Sequence, residues 1–140
     1  MSEPEIVISG EKWLGRGLLS VYSRIEEIIN EAKHSILIAV YQFTSRELIT
    51  LIERALRRGV EVYVYTTEIA DIHSHPNLKI HLLRDIMLHA KIIIVDGKKI
   101  LIGSSNFTFS GFFKNYEVGV YLEDEKIAYK LTKLIRVMID

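Results

Sequence analysis

Residues 89–106 read His89-Ala90-Lys91-Ile92-Ile93-Ile94-Val95-Asp96-Gly97-Lys98-Lys99-Ile100-Leu101-Ile102-Gly103-Ser104-Ser105-Asn106. Two apolar runs flank Asp96-Gly97, a dipeptide suited to a tight hairpin turn, so the stretch predicts two antiparallel strands. A strand has a side-chain period of two, which puts His89 and Lys91 on one face of the first strand. The return strand then delivers Gly103, Ser104 and Asn106 beside His89. Gly103 lets backbone approach a ligand closely, and the Ser104 hydroxyl and Asn106 amide can donate to phosphate oxygens. Asp96 points away from His89 and Lys91 by the same period, and turn chemistry accounts for it, so its role is structural.

Working outward, the elements alternate in the manner of an α/β domain. Upstream, Leu18 to Ala32 has the apolar spacing of an amphipathic helix, and Ile36 to Tyr41 reads as a buried strand. Thr44-Ser45-Arg46-Glu47 has the form of a capping box, opening a helix that runs to a stop at Gly59. Val60 to Tyr65 is the next strand. A polar connection, Thr66 to Asn77, leads to a short strand near Ile80 to Leu82 and then to the hairpin. A strand at Glu117 to Leu122 and a helix from Glu125 to Val137 close the chain. No linker, repeat or low-complexity stretch divides residues 1–140, which are expected to form one domain.

Composition agrees with a single packed unit: 140 residues, 49% hydrophobic, support one core. No apolar run is long enough to span a membrane. The opening MSEPEIVISGEKW is acidic and broken by Pro4 and Gly10, unlike a signal peptide, so a cytoplasmic protein is expected. Cysteine is absent, which excludes disulfides and thiolate metal sites. The 18 basic and 18 acidic residues cancel, so any binding of nucleic acid must come from a local patch. Lys98-Lys99, Arg57-Arg58 and Lys114 are the candidates. A solvated surface explains Arg57-Arg58, whereas Lys114 follows the exit loop of the hairpin.

His-x-Lys, four residues, Asp, six residues, Gly-Ser-x-Asn resembles the signature of the phospholipase D superfamily, the HKD motif, and every signature position is filled. The flanking YQFTSRELITLIERALRRGVEVYVY and NFTFSGFFKNYEVGVYL are similar to the small single-motif bacterial endonucleases of that superfamily, over roughly residues 18 to 140. The resemblance implies a mixed β-sheet flanked by helices and a metal-independent phosphodiesterase without cofactor. It implies His89, Lys91, Asn106 and Glu117 as catalytic residues, with Lys91, Ser104 and Asn106 holding phosphate. Glu117 falls where the resembling enzymes carry an acidic partner for the catalytic His; read from the residues alone it is an exposed strand-end Glu. The connection after the Val60 strand looks shorter than in those enzymes.

The superfamily's chemistry uses two motifs and this chain has one, so the resemblance implies a homodimer with the site on the two-fold axis. Nucleic acid, DNA or RNA, is the expected substrate. The alternatives are a phospholipase D-type lipid phosphodiesterase or transferase and a non-catalytic nucleic-acid-binding module. Phe112-Phe113 can stack nucleobases, wedge into lipid or fill core, with core expected for at least one. Asp71, His73 and His75 alternate like metal ligands but lack an obvious fourth, and read as loop residues. His34 and His81 are read as structural. Trp13 with Gly15 and Gly17 forms no phosphate loop.

Overall fold

At the centre of the computed structural model, which describes residues 3–139, the apolar runs form the expected hairpin of β5 (Lys91–Val95) and β6 (Lys99–Gly103). Asp96 and Gly97 both adopt positive φ, +54° and +68°. The link is three residues long, because Val95 pairs with Lys99 and Lys98 is left between them. Asp96 is held in this uncommon conformation by its carboxylate. Its Oδ atoms accept from the backbone N–H of Lys33 at 3.0 Å, His34 at 2.7 Å and Ser35 at 3.1 Å, tying the turn to the start of β2 (Ser35–Phe43).

The hairpin lies inside one seven-stranded mixed sheet. With β1 (Glu5–Ser9), β3 (Glu61–Ile69), β4 (Leu78–Leu82) and β7 (Glu117–Glu123), the order is β1-β7-β6-β5-β2-β3-β4. β2, β3 and β4 run parallel, and every other neighbouring pair is antiparallel. On one face lie α1 (Val21–Asn30) and α2 (Arg46–Arg57), burying Ile25, Ile28, Ile29, Leu48, Ile52 and Ala55 against Ile36, Ile38, Val62, Val64 and Ile93. On the other lies α4 (Glu125–Arg136), whose Ala128 and Ile135 pack with Leu37, Ala39, Ile92, Ile94 and Ile100. Both faces of β5 are covered, which is why its sequence is a continuous apolar run rather than an alternating one.

Several boundaries move for identifiable reasons. Helix α1 begins at Val21, because Ser20 is its cap, its Oγ accepting from Ser23 N at 3.0 Å; Leu18 and Leu19 precede the helix. Helix α2 is capped by Ser45 rather than Thr44, and the backbone N–H groups of both are anchored to Phe107 O. β3 continues to Ile69 beside β2, so the polar connection shrinks to residues 70–77. The acidic N-terminal segment contains a strand, β1, paired along its length with β7. A short helix, α3 (Phe109–Phe113), follows the Gly-Ser-Ser-Asn turn, and α4 ends at Arg136, before a 3-10 turn Val137–Ile139. Among the described residues no helix is long and apolar enough to cross a membrane.

Candidate active site

Antiparallel pairing gathers the site at one end of the sheet. The C-terminal ends of β1, β2, β3 and β6 and the N-terminal ends of β5 and β7 all lie there. Strand parity then puts Gln42, Glu68, Lys91 and Glu117 on the face that carries α1 and α2, continuing the rows of Val40, Val64, Ile93 and Tyr121 past the end of the core.

His89 and Lys91 are brought together as the two-residue period requires. His89 is exposed just before β5, with its ring centroid 5.5 Å from that of Tyr41. Lys91 is buried, with 8% of its surface accessible. Its Nζ donates to His89 O at 2.8 Å and lies 3.1 Å and 3.3 Å from His89 Nδ1 and Nε2. Among the described residues no carboxylate forms an ion pair with it. Burial pushes the Lys91 ammonium below its ordinary pKa, and the charge of Glu117 partly offsets this. A buried cation without an anion is costly, and the missing negative charge is what a phosphodiester would supply.

Asn106 is oriented by the end of β2. Its Oδ1 accepts from Gln42 N at 3.2 Å, while Nδ2 is 3.4 Å from Gln42 Oε1 and retains a second N–H for a ligand. Gln42 Nε2 in turn donates to Glu68 at 2.9 Å. The local sequence marks Gln42 only as a polar residue ending an apolar strand, and nothing local marks Tyr41 or Glu68; the β2–β3 register brings Gln42 and Glu68 together.

Glu117 stands in a clamp instead of against the imidazole. Ser104 Oγ donates to it at 2.5 Å and Asn115 Nδ2 at 3.1 Å, and within the described residues no hydrogen bond joins it to His89. Ser104 Oγ also lies 3.3 Å from Val118 O and accepts from Val118 N at 3.1 Å. At Gly103 a Cβ would lie 2.8 Å from both Gly119 Cα and Val118 O, so β7 approaches this residue closely. Asp96 lies at the opposite end of β5 and ties the hairpin turn to the start of β2. Burial pushes its carboxyl up, but the three N–H donors outweigh that and hold it below its ordinary value.

The peripheral candidates divide. Phe112 is 3% exposed, stacked on Phe107 and packed on Tyr22, so it is core and cannot reach a nucleic acid; Phe113 is the exposed one of the pair. Lys114 is exposed at the end of α3, with Nζ 5.7 Å from the Phe109 ring centroid. Arg58 is not merely solvated: its guanidinium donates to Ile29 O at 2.8 Å and Ala32 O at 3.2 Å, closing the end of α1. Lys99 pairs with Glu31 at 2.9 Å. His73 Nδ1 sits 2.7 Å from Glu53, and His75 accepts from Asn77 N, so the Asp71–His75 loop is accounted for by local bonds. The described residues contain no group of three or more His, Asp or Glu placed to hold a metal. His81 stacks on Tyr65 at 4.6 Å.

A family model described as "Cardiolipin synthase, PLD-like domain" matches residues 25–139. The fold is similar to that of NucT from Helicobacter pylori, with TM-score 0.80 and 22% identity over 98% of this chain and 96% of that one. It is likewise similar to Nuc from Salmonella typhimurium, a phospholipase D family member, with TM-score 0.76 and 24% identity over 96% and 93% of the two chains. A phospholipase D of Rickettsia prowazekii is 30% identical over 113 residues, 74% of this chain and 55% of that protein. The chain spans from about a quarter to about half the length of the curated relatives it matches.

Proposed function

The chain belongs to the phospholipase D-like phosphodiesterase superfamily, and on that premise we propose that it is an endonuclease hydrolysing DNA or RNA without a metal, in a site shared by two copies. The observation that carries the reading is Lys91, a buried ammonium against the His89 ring that forms no ion pair with a carboxylate among the described residues. An anionic phosphodiester completes that arrangement.

In this mechanism the His89 imidazole attacks phosphorus, forming an N–P bond as the P–O bond to the leaving group breaks. His89 of a second copy protonates the leaving oxygen. The same second imidazole then removes a proton from water, which cleaves the N–P bond and releases the phosphate product. Covalent catalysis divides one hard displacement into two, and general acid–base help contributes about 10² to 10⁴ in rate. Lys91 and the free N–H of Asn106 stabilise charge on the non-bridging oxygens. The charge of Glu117 partly offsets the effect of burial on Lys91, and Ser104 and Asn115 hold Glu117.

Sharing the site between two copies follows from the single motif. Nucleic acid is preferred as substrate because the fold likeness spans almost all of NucT and Nuc, chains of about this size. The family description and the phospholipase D relative favour a second reading, a lipid phosphodiester.

The test is cleavage of end-labelled single- and double-stranded DNA and RNA in EDTA, with His89→Ala protein alongside. Cutting by wild type alone supports the proposal. Turnover of phosphatidyl lipids with no nucleic acid cut supports the second reading, and cutting that requires added Mg²⁺ refutes the metal-free mechanism.

A further inference from the structure

We propose that Trp13 and Tyr116 form a platform on which unpaired bases stack, so that the substrate is single-stranded nucleic acid. The inference rests on the nuclease reading and names the form of its substrate.

Residues 11–19, between β1 and α1, are all exposed, yet the loop is braced. Trp13 N and Leu14 N both donate to Gly10 O, at 3.0 Å and 3.1 Å, and Lys12 N donates to the Tyr116 hydroxyl at 3.1 Å. The indole meets the Tyr116 ring edge to face, with centroids 5.1 Å apart and planes at 88°. Gly10 makes this possible: its φ is +112°, and a Cβ there would overlap the Tyr116 ring. Two large rings are therefore fixed in place while 42% of Trp13 and 47% of Tyr116 remain accessible.

The platform adjoins the chemistry. Tyr116 immediately precedes Glu117, one Cα step of about 3.8 Å along the chain. Ser9 Oγ, where the loop begins, bonds Asn115 O at 2.9 Å and so ties the loop's root to the segment that clamps Glu117. Charge points the same way. Around the two rings in sequence, Lys12, Arg16 and Lys114 outnumber Glu11 and Glu117, although the whole chain is neutral, and Lys114 lies over the exposed Phe109 ring. Exposed rings interleaved with cations are how proteins hold single strands, the rings taking base faces and the cations taking phosphates. A lipid wedge needs side chains that project freely, whereas these rings brace one another.

Trp13 is the only tryptophan in the chain, so its emission reports on the platform directly. The experiment titrates His89→Ala protein with oligodeoxythymidine and oligouridine while following that emission. In parallel, wild type, Trp13→Ala and Tyr116→Ala are assayed on labelled single strands and on bis(p-nitrophenyl) phosphate, a diester with no strand to stack. Saturable quenching is expected, with each substitution raising KM for single strands by roughly five- to a hundred-fold. Turnover of the small diester should be unchanged in both variants, which also shows that they fold. Wild-type cutting of single strands with no change in emission and no change in KM for Trp13→Ala overturns the platform and leaves the nuclease reading standing. Hydrolysis of the small diester with no nucleic acid cut overturns both. A blue shift on anionic vesicles without any response to oligonucleotide overturns the platform in favour of a lipid surface.

Discussion

Replacing Asp96 in parallel with alanine, asparagine and glycine separates the two jobs its geometry implies. The carboxylate accepts three backbone N–H groups, and the residue holds φ at +54°. Hydrogen bonds to a charged acceptor contribute about 1.5 to 3 kcal/mol; two of these donors are solvent-accessible and can be rehydrated, so losing the set costs about 2 kcal/mol. Alanine at positive φ adds about 1 kcal/mol, whereas glycine and asparagine tolerate the conformation. Asp96→Ala should therefore lose about 3 kcal/mol, and Asp96→Asn and Asp96→Gly about 1 to 2 kcal/mol. Thermal unfolding reads the alanine loss as a fall in Tm of about 10 °C for a chain of this length.

The pH series has a definite sign. The folded carboxyl lies below its ordinary value, so its stabilisation is complete above that value and is lost as pH falls through the folded one. The gap between wild type and Asp96→Asn should be full near neutrality and shrink below about pH 4. Activity is the control. Asp96 lies at the far end of β5 from Lys91, about 17 Å away at the strand rise, so kcat of folded Asp96→Asn should equal that of wild type. A folded Asp96→Asn protein that no longer turns over substrate would refute the structural assignment.

Three further outcomes follow from the same geometry. Because burial depresses Lys91 and Glu117 raises it, activity should fall on the alkaline side below the ordinary lysine pKa, and Glu117→Gln should move that limb to lower pH; an unmoved limb in the kcat/KM profile would contradict the coupling. A Cβ at Gly111 would overlap the Asn106 carbonyl and sit 2.8 Å from Ser105 Oγ, so Gly111→Ala should lower both Tm and turnover by displacing Asn106; wild-type values of both would show that the turn can yield. Phe112→Ala should cost about 3 to 5 kcal/mol in denaturant unfolding while Phe113→Ala costs less than about 1 kcal/mol, and equal losses would mean that Phe112 is not the buried ring of the pair.

By itself the sequence determined what is local. The hairpin at Asp96-Gly97, the amphipathic spacing of α1 and α2 and the same-face placement of His89 and Lys91 all depend on residues within a few positions of one another. Backbone periods and turn chemistry settle such relations before any long-range contact forms. Tertiary structure decided what depends on partners distant in the chain. The β6–β7 register puts Ser104 on Glu117, and the β2–β3 register sets Gln42 against Glu68. β1 exists because β7 offers it a free edge. Adjacent phenylalanines take different fates because Phe107 stacks on Phe112, while Phe113 meets only Tyr22, Phe109 and the edge of Phe112 among the rings and stays partly exposed. Strand pairing and burial are sums over such distant partners, and no window along the chain contains them.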